Sequence, residues 1–229
     1  VLKLATEGGR ITNSTFQITQ VGYPLASYYL LKTTGVFMNS GELAGAAVQH
    51  PNTQAGDLKF EDYNQDGKIN SDDRKILGDP WPDFTWGLDN RFTYGNISLR
   101  VSLTGSHGAF NYINSNQTIL NSAGVQNQIN HGARWRNESE PGDGVWPRAI
   151  RNNYAYGFGD GTSLLLFDAS YLRIKNVNIS YNKTKKIATM LLLSNLSVYA
   201  DISNLFTFTD YLGYDPESST AGDNVINSG

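Results

Sequence analysis

The chain has 229 residues, with 18 Lys+Arg against 21 Asp+Glu and a formal net charge of −3. It has no cysteine, which excludes a disulfide framework and a thiolate metal site. The basic excess of a nucleic-acid binder is missing, and 12% aromatic content excludes a disordered chain. No apolar run approaches the roughly 18–20 residues of a membrane-spanning helix. A barrel strand needs only every second residue apolar, so that class stays open.

In chain order, residues 25–37 are rich in Tyr, Leu and Val and predict a strand. The next feature, residues 62–73, fits a twelve-residue calcium loop. Side-chain oxygens fall at positions 1, 3 and 5 (Asp62, Asn64, Asp66), and Gly67 at position 6 permits the sharp turn. Lys68 at position 7 would offer its backbone carbonyl, with Asn70 at position 9 and Asp73 at position 12. Ca²⁺ needs six or more hard oxygens, and a chain wrapping one ion presents alternate residues to it. Ile69 at position 8 faces away and can anchor the loop. Asp at position 12 shortens the arm that is usually Glu, as in dockerin-type loops. Residues 57–89 carry nine acids against four bases, a crowding that a bound cation would relieve. An acidic loop rich in Asx turns, without metal, gives the same pattern.

The dominant period is two. Phe84, Trp86, Leu88, Asn90, Phe92 and Tyr94 alternate with Thr85, Gly87, Asp89, Arg91 and Thr93. Gly95-Asn96 interrupts, and Ile97, Leu99, Val101 and Leu103 resume the alternation, which predicts a hairpin on a two-residue turn. Residues 105–160 then form a long polar connection, too long for an ordinary compact domain if it has no structure of its own. Within it, Trp135 and Trp146 are candidates for sugar stacking. Glu138, Glu140 and Asp143 form a candidate hydrolase cluster, with a solvated acidic surface as the other reading.

Leu172, Ile174, Val177, Ile179 and Tyr181 make a second alternating run whose phase breaks between 174 and 177, as at a β-bulge. Leu196, Val198, Ala200 and Ile202 make its partner, continuing through Asn204 to Phe206 and Phe208. Residues 187–193 extend these strands or make a helical turn. Aromatics gather near strand ends, at Trp81, Phe84 and Trp86, at Tyr171 and Tyr181, and at Phe206, Phe208 and Tyr211. In a barrel these would be interfacial girdles. On periodicity alone a transmembrane barrel and a soluble β-sandwich both stay open.

Several segments occur in a telling order: Val21-Gly22-Tyr23-Pro24-Leu25, Gly56-Asp57-Leu58-Lys59-Phe60, the 62–73 loop and Ile76-Leu77-Gly78-Asp79-Pro80. Pro82-Asp83-Phe84-Thr85-Trp86-Gly87, Ser170-Tyr171-Leu172-Arg173-Ile174, Asn204-Leu205-Phe206-Thr207-Phe208 and Gly213-Tyr214-Asp215-Pro216-Glu217 follow. This series resembles the C-terminal part of SusC/RagA-type TonB-dependent outer-membrane transporters of Bacteroidota. The resemblance implies an all-β fold: an antiparallel transmembrane β-barrel with long extracellular loops, of which residues 1–229 are a C-terminal segment of 22 strands. The signal peptide, plug domain and final strand would lie outside these residues. It further implies no enzymatic activity and uptake of oligosaccharides or peptides with a SusD-like surface lipoprotein. Energy would come from TonB-ExbB-ExbD acting on the plug, and the strands would face outer-membrane lipid.

With a periplasmic C-terminus, strand parity places the Gly95-Asn96 turn inside, and the 62–73 loop and the 105–160 connection outside. The rival readings are a secreted, calcium-stabilised β-sandwich that binds glycans, and a glycan hydrolase.

Overall fold

The computed structural model describes residues 1–4, 9–14, 16–113, 133–148, 161–183, 196–213 and 215–217. The described residues divide into two units: those of 1–80 with 110–113, 133–148 and 161–167, and those of 81–109 with 168–217. Strands β1 (Arg10–Ser14), β2 (Gln17–Gln20), β3 (Ser27–Leu31) and β4 (Thr33–Val36) open the first unit, followed by β5 (Leu58–Phe60) and β6 (Arg74–Gly78). The second unit begins with β7 (Phe84–Tyr94) and β8 (Ile97–His107). After β9 (Phe110–Tyr112) and β10 (Leu166–Asp168), it resumes with β11 (Tyr171–Lys183) and β12 (Leu196–Phe208).

The first unit is built from short strands around a sealed core. β1-β2-β3-β6 form one antiparallel sheet, while β4 pairs with β5 and β9 with β10. Tyr28, Leu30, Leu31, Phe37, Leu58, Tyr112 and Leu165 are all at most 1% exposed. Tyr112 stacks on Phe16 with centroids 4.4 Å apart and accepts the Gly161 N–H on its hydroxyl at 2.8 Å. The ring thus buries its apolar body and keeps its polar atom partnered. Within 25–37, where one strand is expected, there are two, β3 and β4, separated at Lys32 because they join different sheets. The connection expected without structure across 105–160 is partly ordered. It carries the end of β8, all of β9, and residues 133–148 packed into this unit. Residues 114–132 and 149–160, like 187–193, lie outside the described residues.

The second unit is one antiparallel sheet in the order β12-β11-β8-β7. Its hairpin turns on Gly95-Asn96, where Gly95 has φ 55, a value that disfavours a side chain. The phase break expected in β11 is a bulge: both neighbours shift register between Ile174 and Asn176. On β12 the same level holds Asn204 at φ 52, a left-handed conformation that Asn tolerates better than most residues.

Candidate functional site

Register sorts the long sheet into two chemically opposite faces. Trp86, Leu88 and Phe92 on β7 sit level with Gly105, Leu103 and Leu99 on β8. Leu103, Val101 and Leu99 sit level with Ile174, Val177 and Ile179 on β11. These in turn face Phe206, Ile202 and Ala200 on β12. The bulge restores phase, so one face is apolar across all four strands. That face is not a core: Leu88 is 47% exposed, Phe92 61%, Val198 60% and Phe206 54%.

Along the strands this face is banded. Phe84, Trp86, Phe206 and Phe208 lie at one end, Phe92, Tyr94 and Tyr181 at the other, and mostly aliphatic residues between. The Trp86 ring lies over Gly105, filling the place a Cβ would take. Two members of the expected aromatic girdles belong elsewhere. Tyr171 falls on the opposite face beside Ser106, and its hydroxyl donates to Glu217 at 2.6 Å. Tyr211 is buried.

The other face is polar and internally bonded. Arg100 pairs with Asp89, Thr93 bonds Ser98 at 3.1 Å, and Ser197 donates to Asn182 at 2.6 Å. Asp201 accepts from Asn176 at 2.8 Å and from Asn178 at 2.9 Å. At the end away from the hairpin turn, Arg173 is 7% exposed and donates to Thr207 Oγ1, to Glu217 Oε2 at 2.7 Å and to Asp215 Oδ1 at 2.7 Å. Burial alone would raise the Asp215 carboxyl, but the Glu217 N–H and the Arg173 guanidinium hold it below its ordinary value. A buried guanidinium thus ties residues 215–217 to strands β11 and β12.

In the first unit, the 62–73 loop has the hydrogen bonds its spacing demands. Asp62 accepts the Asp66 and Gly67 N–H groups, Asn64 accepts Asp66 N–H, and Asp66 accepts Lys68 N–H. Gly67 has φ 79. Asn70 and Asp73 form a capping box on the short 3-10 turn Ser71–Asp73. Asp73 is 1% exposed and takes N–H donors from Tyr63 at 2.9 Å and Asn70 at 2.8 Å. Ile69 is buried, as its position in the loop requires, and its N–H bonds Val48. The donor set is all hard oxygen, which suits Ca²⁺. Yet the carboxylates are spent on backbone N–H groups, and no three acidic or histidine side chains converge on a metal position among the described residues.

The tryptophan candidates separate. Trp146 is 8% exposed and serves packing, so it offers no ring face to a sugar. Trp135 is half-buried, with its indole N–H on the Met38 carbonyl at 3.1 Å and its ring against Gly56. Glu138 accepts the Ser40 N–H and Glu140 pairs with Arg136, two separate surface roles rather than an acid-base couple. Sequence reasoning missed Arg173 and the buried Asp57–Arg148 ion pair at 2.7 Å, whose partners are 91 residues apart. Burial raises the Asp57 carboxyl, with Arg148 and the Gln54 N–H pulling against it.

Two such faces, one banded and apolar, one polar and bonded, are those of the strand wall of an outer-membrane-type β-barrel. No protein-family model matches the chain. Over 94% of its length it is 30% identical to TonB-dependent receptor P3 of Formosa agariphila, covering 21% of that protein. Over 91% it is 26% identical to TonB-dependent receptor SusC of Bacteroides thetaiotaomicron, covering 18% of it. Among solved structures it resembles the RagAB peptide transporter, at 20% identity and a TM-score of 0.67, covering 93% of this chain and 22% of that one. RagAB in its open-open state gives a TM-score of 0.65. The relationship to SusC/RagA-type TonB-dependent receptors expected from the sequence therefore holds. The chain spans about a fifth of the length of the relatives it matches.

Proposed function

We propose that this chain is the C-terminal portion of the barrel of an outer-membrane TonB-dependent importer. The observation that carries this reading is the apolar face of the β7-β8-β11-β12 sheet. It is exposed and banded by aromatics, while the opposite face is polar and hydrogen-bonded. A soluble β-sandwich would bury that face against a second sheet. Hydrocarbon is the other surroundings in which it is stable.

In this reading the polar face lines the lumen, and residues 1–80 with 133–148 form an extracellular excursion. A SusD-like surface lipoprotein is the partner, and oligosaccharide or peptide is the cargo. The relatives include both SusC and a peptide transporter, so the similarity favours neither cargo. The test is fractionation and uptake. The intact natural protein should require detergent for extraction and stay with the outer membrane. Monodisperse protein in plain buffer contradicts the reading.

Calcium at Asp62, Asn64, Asp66, Lys68, Asn70 and Asp73 is a proposal within this one. It would require the side chains at positions 1, 3, 5 and 12 to turn toward one point around the Gly67 turn. Calcium should then protect residues 57–80 from protease, and Asp66→Ala should abolish the protection. Equal cleavage with calcium and with chelator rules it out.

A further inference from the structure

The first unit holds an open cavity of about 440 Å³ lined by Gln54, Ala55, Arg134, Trp135, Arg136 and Arg148. Three arginines line this one space, with Trp135 beside them and Ala55 the only aliphatic contributor. Such concentration costs free energy unless the charges are answered. Two are. Arg148 Nε donates to the buried carboxylate of Asp57 at 2.7 Å, and Arg136 meets Glu140 at a longer 3.4 Å. Among the described residues Arg134 has neither an acidic partner nor a hydrogen bond, although its side chain is half-buried.

The scaffold beneath these groups is fixed. Trp135 N–H bonds the Trp146 carbonyl at 2.9 Å, Arg148 N–H bonds the Gly56 carbonyl at 2.8 Å, and Gly56 N–H bonds the Phe37 carbonyl at 2.7 Å. Gly56 at φ 86 leaves the space that the Trp135 ring occupies. The cations are thus carried on a pinned backbone, with Arg148 oriented by its own ion pair. A cavity that gathers more positive charge than it neutralises, on a rigid support, is organised for an anion.

We propose that this cavity binds the carboxylate of an acidic saccharide, a hexuronate unit, with Arg134 as its principal counter-charge. The guanidinium fork matches a planar carboxylate with two parallel N–H···O bonds. The indole of Trp135 and the amide of Gln54 suit the ring and hydroxyls that accompany it. An acidic peptide would supply the carboxylate but has no ring for the indole, and the lining offers little aliphatic surface to its side chains. The proposal rests on the importer reading and narrows its cargo to a charged glycan.

The test uses the intact natural protein in detergent. Binding is measured for trigalacturonate and trimannuronate, each beside its methyl ester, and for triglutamate. At least one free acid should bind tenfold or more tightly than its ester and than triglutamate. Arg134→Ala should remove that tenfold preference, and Arg134→Lys should recover part of it. Arg134 makes no hydrogen bond within the described fold, so its replacement should leave protease resistance of residues 133–148 unchanged. Acid and ester bound equally, triglutamate bound as tightly, or an undiminished preference in Arg134→Ala would overturn the proposal. Those results would leave membrane extraction unaffected, whereas failure of the importer reading shows there first.

Discussion

Leu30 and Leu88 are the same residue under opposite rules. Leu30 sits in the first unit at 0% exposure, sealed among Tyr28, Leu31 and the other core residues. Leu88 sits in the second unit at 47% exposure, level with Leu103 on a face of similarly bare side chains. In the first unit large apolar side chains turn inward while the backbone pairs within its sheets, as water dictates. In the second the polar groups bond one another across the sheet and the apolar ones face out, as hydrocarbon permits. One chain therefore carries two folding logics, and the surroundings each segment was built for can be read from which way its leucines point.

That contrast can be broken by substitution. Leu30→Ala should destabilise the first unit by about 3 kcal/mol, because a dense core collapses only partly around the missing atoms. Leu88→Ala should cost under about 1 kcal/mol, since lipid refills the space. Limited proteolysis of the two variants in native membranes compares them directly, and equal losses would erase the distinction.

A charge on the outward face sharpens it. Leu88→Arg, near the middle of β7, should cost about 2 kcal/mol of barrel stability and lower the amount reaching the outer membrane. Ser102→Arg, on the polar face beside Asp89, should insert normally. Immunoblots of membrane fractions read both.

The smallest expected effect is electrostatic. Hydrogen bonds from Lys75 and Lys32 hold the Glu61 carboxyl in the first unit below its ordinary value, outweighing desolvation. Its folded form therefore releases the proton more readily than its unfolded form. The stabilisation is complete above the ordinary glutamate pKa and fades as pH falls through the lowered one. Both pairs are partly exposed, so the amount is under about 1 kcal/mol. Glu61→Gln should flatten acid sensitivity in that window, followed by protease resistance of residues 58–78 against pH.

Legibility in the sequence followed element length. The four long strands of the second unit repeat a two-residue period often enough for the alternation, the Gly95-Asn96 turn and the bulge after Ile174 to stand out. The short strands β1, β2, β5, β6, β9 and β10 have three to five residues each, too few for a period. Their pairing is also set by distant partners, as where Leu31 bridges Thr162. The site residues followed the same rule. The 62–73 loop is contiguous and was visible, including the inward anchor Ile69. The Arg173 cluster joins residues 34 to 44 apart, and the cationic cavity joins Gln54 to Arg148. Only folding brings such groups together.

If the importer reading holds, alternate residues of β7, β8, β11 and β12 meet lipid and aqueous lumen in turn. The chain has no cysteine, so single cysteines can be placed along β7 and β12 without background labelling from within it. A membrane-impermeant maleimide applied to the intact natural protein in its membrane should label positions 85, 89, 93, 199 and 201. It should spare positions 86, 88, 92, 198 and 202. Labelling that follows this two-residue beat supports the account, and uniform labelling of neighbouring positions along either strand contradicts it.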